Sequence, residues 1–378
     1  MSEAPRSPGL ELDAAPAYEL LMLLSVLSDP QEYGSGEADR GPLAGVRAAA
    51  SSSLLRSIEE FTGGSDKVIP HLVPLAYSCP PPRGVPELVA YLDGLDPFTI
   101  YLRLLGYSMR YFRRATPPEV IRAAASGDEN AKRELMTTSY PDDVAWQSAL
   151  HRLLSFDTPA VKARLIDILR ATAREIFDPY QREVMPILRR DLETKRLQLG
   201  SIGPERLIEV ATNGIEYVPE PGITRVLLIP SYAIRPWVHT LDEGDLKIFC
   251  YAVAEENISA RENAPPPRLV ALTKALGDER RLEVLKLLAP RPHTLGEISA
   301  HFGVPKTSMH HHLAILRSAG LVRMRSSDRR YSLRPDAVPD VSELLSSYLQ
   351  LPTTGGSPGA HSPHYNGVER QPDKGDER

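Results

Sequence analysis

Apolar positions in the first part of the chain recur mostly with the period of an α-helix. Residues 17–27 are apolar almost all round, which predicts a helix buried on every side. Residues 98–112 predict another core helix, and residues 142–199 predict long helices broken near Asp178-Pro179. Shorter helices are predicted elsewhere: after a Gly-, Ala- and Ser-rich loop towards Phe61, within residues 117–135, and at residues 204–211.

The pattern changes after Asn213, where β-branched and aromatic residues replace the helical period. Residues 224–229 and 246–253 are two such runs, and residues 242–245 predict a turn between them. We expect a β-hairpin, or a small sheet with a neighbouring strand, near residues 223–253. This β element caps the helical domain.

Two short amphipathic helices around a glycine turn are predicted between residues 294 and 318, after a helix that Asp278 caps. Thr294 and Glu297 are spaced as a capping box, in which each side chain bonds an unpaired backbone amide. Gly303 suits the left-handed residue that ends the first helix. Three apolar residues share one face of the second helix and are predicted to pack inward: Met309, Leu313 and Leu316.

The opposite face of the second helix is polar or small and lacks acidic groups, so it can approach a phosphate-lined groove closely. It comprises Thr307, His310, His311, Ala314 and Ser318. Two basic strands follow across a corner at Ser327 and Asp328, and the order of elements is that of a winged helix-turn-helix. The residues predicted to contact DNA are Lys306, Thr307, Ser308, His310, His311, Arg323, Arg325, Arg329 and Arg330.

The predicted fold class is mainly α with small β. It consists of an N-terminal multi-helix domain ending in a β-hairpin or small sheet, followed by a C-terminal winged helix-turn-helix. Residues 1–15 are predicted to be disordered, 16–262 to form the helical regulatory or sensor domain, 265–350 to form the winged module, and 351–378 to be a disordered tail.

The C-terminal motif closely resembles that of the ArsR-type winged-helix repressors. ALGDERRLEVLKLL is followed by TLGEISAHFGVPKTSMHHHLAILRSAGLVR and then by RRYSL. The matching residues are Ala275, Leu276, Asp278, Arg281, Glu297, His312, Leu313, Leu316, Ala319, Gly320, Leu321 and Val322. The resemblance implies a regulator that binds double-stranded DNA as a homodimer. It also implies that the amphipathic helix of residues 340–349 and the helix before Asp278 build the dimer interface.

Two departures from the family pattern limit what the resemblance implies. His310 stands where a Ser is common, and Pro305 occupies the usual Ser/Thr capping site, so base preference is not carried over. The helix that bears a cysteine-rich motif in metal-sensing members reads LGEISAHF here. We therefore expect no thiolate metal switch at that place. Three successive histidines point about 100° apart on a helix and cannot bind one ion together. No metal or other cofactor is predicted.

Charge is distributed unevenly along the chain, whose net charge is −5. Residues 265–335 contain 13 Lys and Arg against 5 Asp and Glu, a net +8, so the remainder carries −5 − 8 = −13. A basic module on an acidic domain is the electrostatic pattern of local nucleic-acid binding.

Other features indicate a cytoplasmic protein without a membrane span. No long apolar run occurs, and the N-terminus lacks the pattern of a signal peptide. The two cysteines, Cys79 and Cys250, are far apart in apolar surroundings and are read as inert core residues. Trp237, Tyr232 and Arg235 are read as packing residues, with a pocket as the alternative. No nucleotide-binding, metalloprotease or nucleophile motif is present, so no catalytic residue and no enzyme activity are predicted.

The resulting hypothesis is a sequence-specific transcriptional regulator, acting as a repressor, with residues 306–318 in the major groove and residues 321–333 on the backbone. The N-terminal domain is expected to sense a small-molecule effector or a protein partner. Residues 225–238 weakly resemble domains of unknown function that are fused to ArsR-type modules. Two alternatives remain: an N-terminal enzyme that uses the winged helix for docking, and a winged helix that binds protein.

Overall fold

The computed structural model describes residues 8–29, 43, 45–110, 115–258, 265–335 and 340–349. We call residues 8–258 the body and residues 265–349 the module. The predicted fold class, mainly helical with small β and a C-terminal winged helix-turn-helix, is confirmed. The predicted tail, residues 351–378, lies outside the described residues.

The body is built around its first helix, α1 (Pro16–Ser28), in which residues 17 to 28 are all buried. This confirms the predicted helix that is buried on every side. The further body helices are α2 (Val46–Ala49), α3 (Ser52–Thr62), α4 (Val73–Ser78), α5 (Val85–Gly94), α6 (Pro97–Leu104), α7 (Pro118–Ala125), α8 (Glu129–Thr138), α9 (Val144–Ser155), α10 (Thr158–Thr172), α11 (Asp178–Ile202) and α12 (Pro204–Ala211). Short 3₁₀ turns occupy Ile69–Leu72 and Glu255–Asn257.

Two helix boundaries differ from the predictions. The core helix predicted for residues 98–112 ends at Leu104, because Gly106 adopts a left-handed φ of 82° and turns the chain. The break predicted near Asp178 does not interrupt the helical path. Instead, residues Ala173–Phe177 widen into a π-helical turn that leads directly into α11. Pro179 lies in the first turn of α11, directly after the π-helical turn.

The body sheet has the order β1-β3-β5-β4, with β1 (Gly9–Leu12), β3 (Arg225–Ser231), β4 (Val238–Glu243) and β5 (Leu246–Ala252). The two predicted runs, β3 and β5, are parallel neighbours, so the predicted hairpin between them is wrong and the alternative, a small sheet, is confirmed. The predicted turn instead joins β4 to β5, which are antiparallel. The prediction of disorder for residues 1–15 is also wrong where β1 pairs with β3, because backbone pairing orders a segment too short to bury a core.

The module contains α13 (Pro267–Leu276), α14 (Glu279–Leu288), α15 (Leu295–Phe302), α16 (Lys306–Ser318) and α17 (Asp340–Tyr348). Its strands are β6 (His293–Thr294), β7 (Val322–Arg325) and β8 (Arg330–Leu333). The predicted cap at Asp278 and the capping box of Thr294 and Glu297 are both present. A fourth strand, β2 (Ile215–Glu216), comes from the body and completes a sheet of order β2-β7-β8-β6.

Candidate nucleic-acid interface

The second helix of the motif, α16, is oriented by an apolar face buried in the module. Met309, Leu313 and Leu316 are each 0% exposed and pack with Ile298 of α15. The prediction that these three residues point inward is confirmed. Because one face of the helix is fixed in this way, the opposite face points away from the module's core.

The first turn of α16 lies open to solvent. Lys306, Thr307 and Ser308 are all exposed. The ammonium of Lys306 lies 3.9 Å from the carboxylate of Asp142 in the body. Both partners are well exposed, so this ion pair contributes little to stability.

The middle of the outward face contacts the body through Trp237, which is only 5% exposed. The indole ring stacks on His310, with centroids 5.1 Å apart and planes 25° apart. The ring of His311 lies 5.7 Å from the same indole. Trp237 is a packing residue, as predicted. Part of the surface that it packs against is the predicted DNA-binding face of α16.

The last turns of α16 are enclosed between body and module. Ala314, predicted to face outward, is 3% exposed and belongs to the apolar core of the body. Arg317 is 7% exposed and donates a hydrogen bond to the backbone carbonyl of Thr212. The outward face is therefore covered along this half of the helix, which the residue pattern did not predict.

The wing is joined to the body by backbone pairing. Strand β2 runs parallel to β7, with Ile215 opposite Met324 and Glu216 opposite Arg325. The N–H of Met324 donates to the carbonyl of Gly214 at 2.7 Å, and the N–H of Ser326 donates to that of Glu216 at 2.9 Å. The side chain of Met324 packs on an apolar cluster of the body that contains Leu207 and Ile208 of α12.

The wing arginines predicted to contact phosphates have different surroundings. The guanidinium of Arg325 lies 3.6 Å from the carboxylate of Glu216, and that of Arg330 lies 3.2 Å from Glu297. Arg323 donates to the hydroxyl of Ser332 at 3.3 Å. Arg329 is exposed at the hairpin tip with a left-handed φ of 55°. Arg329 lies beside the tip, as predicted, and Arg325 and Arg330 each have a carboxylate partner within the protein.

Desolvation affects the histidines of α16 at the junction, the contact of the body with α16 and β7. Together with the nearby charges of Arg317 and Arg329, it lowers the pKa of His310 to about 4, although the His310 side chain is exposed to solvent on its other side. Desolvation also lowers the pKa of His311 and of His312. His312, read from sequence as a packing or hydrogen-bonding residue, has its Nδ1 3.8 Å from the carboxylate of Asp278. The lowered pKa values favour neutral histidines near pH 7, and the neutral ring of His310 stacks on Trp237.

The remaining reactive side chains show no assembled site. Cys79 and Cys250 are both buried, as predicted, and burial raises the pKa of each thiol. Among the described residues, no three His, Cys, Asp or Glu side chains are grouped to hold a metal ion. Within the described chain, no helix combines the length and apolar character needed to cross a membrane.

The body contains an open cleft of about 300 Å³ between α3 and α10, beside the π-helical turn. Its floor is apolar and its rim is charged, with carboxylates and guanidinium groups of both signs. The lining residues are Ser53, Leu54, Ser57, Phe61, Arg164, Asp167, Ile168, Ala171, Arg174 and Glu175.

The terminal helix α17 presents apolar residues in two directions. Leu344 packs against the module core. Leu345 and Tyr348 remain 42% and 40% exposed, and Leu349 just beyond the helix is 52% exposed. Helix α17 lies against α13, the helix before Asp278. The exposed edge is therefore available to a further partner.

Comparison with known proteins identifies a family for the module. The model of the "Bacterial regulatory protein, arsR family" matches residues 278–324. The transcriptional activator HlyU of Vibrio cholerae is 35% identical over 80 residues, which are 21% of this chain and 74% of that protein. The transcriptional repressor SdpR of Bacillus subtilis is 37% identical over 82 residues, 20% of this chain and 87% of that protein. No solved structure matches the chain. With most of each relative covered and the winged helix-turn-helix in place, this chain belongs to the ArsR family of bacterial regulatory proteins.

Proposed function

We propose that the protein is a sequence-specific DNA-binding transcriptional regulator that inserts α16 into the major groove. The observation that carries the proposal is the complete burial of Met309, Leu313 and Leu316, which turns the acid-free face of α16 outward. Lys306, Thr307 and Ser308 lie in the first turn of α16, the part of a recognition helix that touches base edges. The regulator relatives support the same function.

The wing contacts the phosphate backbone in this proposal. Arg329 at the tip and Arg323 on β7 supply positive charge that positions the module without reading sequence. Arg325 and Arg330 exchange Glu216 and Glu297 for phosphates when the wing binds. His310 and His311 also contact the groove.

The protein acts as a homodimer on a partly palindromic site. The exposed edge formed by Leu345, Tyr348 and Leu349 is the surface that two copies share. Two-fold symmetry then sets the spacing of the half-sites.

Repression is the expected outcome where the site overlaps a promoter, because the bound dimer and the polymerase exclude each other. The two relatives carry opposite signs in their names, activator and repressor. The relatives therefore do not decide between activation and repression. The position of the bound site relative to the promoter decides it.

The body serves as the sensor of a cytoplasmic effector or protein partner, and not as an enzyme. The open cleft beside α10 is the candidate effector site, since it combines an apolar floor with charged groups at its rim. Docking of the module on protein is the second candidate function. It is favoured by the stacking of Trp237 on His310, in which the same face of α16 already contacts protein.

Selection of host genomic fragments by the full-length protein tests the proposal. Specific fragments should be enriched, and Lys306→Ala/Thr307→Ala should weaken binding to them by about tenfold or more while the fold is unchanged. Lys286→Ala, an exposed basic residue on α14, is the matched control and should retain nearly full affinity. His310→Ala is omitted because His310 also contacts Trp237. Equal loss in both variants would refute groove recognition.

A further inference from the structure

The face of α16 that is proposed to read DNA is in contact with the body for most of its length. Trp237 stacks on His310 and contacts His311, the body core encloses Ala314, and the carbonyl of Thr212 accepts a hydrogen bond from Arg317. Strand β2 occupies the edge of the wing at the same time. A recognition helix seated in the major groove is surrounded by base edges and phosphates, so no room remains for an indole stacked on its middle turn.

We propose that the body is an intramolecular inhibitor of DNA binding, and that this structure is the closed state in which it covers α16 and the wing edge. The inference rests on the proposed function and adds its regulation. DNA binding requires the segment of residues 212–216 and the loop of residues 232–237 to leave the module. An effector that favours their release increases operator affinity, and one that stabilises them decreases it.

The closed state contains one unfavourable element that makes its release feasible. Arg317 is nearly fully buried, yet within the described chain no carboxylate forms an ion pair with it. Burial lowers the pKa of its guanidinium. A buried cation that lacks a counter-ion is costly, and release of the body returns it to water or to a phosphate. The apolar contacts of Trp237, Ala314 and Met324 oppose this cost and hold the closed state.

The covering elements are connected to the interior of the body, where a signal can reach them. The backbone N–H groups of Tyr232 and Ala233 donate to the buried carboxylate of Glu19 on α1. Strand β2 follows α12 through the turn at Asn213 and Gly214, both at positive φ. Movement of α1 or α12 is therefore transmitted to the loop that carries Trp237 or to β2.

A disulfide lock across β2 and β7 tests the inhibition in the full chain. Glu216 and Arg325 are direct partners in the parallel pairing, and such residues lie about 4.8 Å apart, within the reach of a disulfide. The variant Glu216→Cys/Arg325→Cys is compared with itself, oxidised by oxidised glutathione and then reduced by dithiothreitol. The native cysteines are buried and do not compete. The oxidised form should lose at least about tenfold in affinity, and reduction should restore it.

A glycine substitution tests whether opening the junction raises operator affinity. A Cβ at Gly214 would lie 2.9 Å from the carbonyl oxygen of Val322 in the module, so Gly214→Ala should open the junction and raise operator affinity several-fold. Gly127→Ala is the matched control, because Gly127 has φ +98 against +99 for Gly214 but nothing within 4 Å of its Cβ. The control should leave affinity unchanged.

The two tests separate failure of the inhibition from failure of the proposed function. The inhibition is refuted if the oxidised and reduced forms bind the operator with equal affinity under conditions in which the wild-type protein binds it. The inhibition is also refuted if Gly214→Ala binds the operator no more tightly than Gly127→Ala does. If no form of the protein selects DNA, including the reduced and opened forms, the DNA-binding proposal itself fails.

Discussion

The carboxylate of Glu19 accepts a hydrogen bond of 2.6 Å from the hydroxyl of Tyr180 in the interior of the body. Glu19 is 0% exposed and lies on α1, whereas Tyr180 lies on α11. The same carboxylate receives the backbone N–H groups of Tyr232 and Ala233. One buried acid thus joins the central helix, the longest helix and the loop that leads to Trp237.

Stability should depend on pH through this acid. Burial raises the pKa of Glu19 to about 7, and its hydrogen bonds oppose the shift. A raised folded-state pKa gives a contribution that is fully present below the unfolded pKa, near 4.5, and is lost as the pH rises through about 7. We expect the unfolding free energy of wild type, relative to that of Glu19→Gln, to fall by about 3 kcal/mol between pH 4.5 and 7.5.

Urea unfolding of both proteins across this range measures the difference. Subtraction removes the opposite dependence of His71, whose pKa burial lowers to about 4 and which both proteins share. Tyr180→Phe is the companion variant: it removes one donor to the carboxylate and should shift the fall to higher pH. A wild-type curve parallel to that of Glu19→Gln would show that Glu19 does not titrate in this window.

The module was predictable from sequence because its signals are local. A capping box, a glycine at a left-handed position and a three-residue apolar face each specify geometry within a few residues. Thr294, Gly303 and Met309 therefore lie where the pattern put them. The bounds of α16 follow from the same spacing.

The junction was not predictable because its partners are distant in sequence. Nothing near Trp237 signals His310, and Ala314 on a polar face is equally compatible with a groove and with a protein surface. Parallel pairing of β3 with β5 and of β2 with β7 also joins separated segments. A turn signal such as residues 242–245 identifies a corner but not which strands it joins.

The exposed edge of α17 should be the contact between two copies. Leu345→Glu places a charge on a surface that is proposed to be buried in the dimer. Dimerisation then requires the removal of an unpaired carboxylate from water, which is unfavourable. We expect the variant to sediment as a monomer at concentrations where wild type is dimeric. Analytical ultracentrifugation at several protein concentrations measures this shift.

A leucine on another surface gives the control for charge and hydrophobicity. Leu197 on α11 is 81% exposed, so Leu197→Glu makes the same substitution on the body. It should leave the association state as in wild type. Dissociation by both variants, or by neither, would place the dimer contact elsewhere than at α17.

The tip of the wing should determine part of the salt dependence of DNA binding. Arg329 is exposed at the hairpin tip, and a phosphate contact releases counterions, so Arg329→Ala should lower the slope of log K against log salt by about 0.9. Affinity should fall for operator and unrelated DNA alike, because phosphate contacts carry no sequence information. The guanidinium of Arg330 lies 3.2 Å from Glu297, so Arg330→Ala should lower the slope by less than the full value of about 0.9 for one phosphate contact. Titrations by fluorescence anisotropy from low to moderate salt supply both slopes. A slope unchanged by Arg329→Ala would remove the tip from the interface.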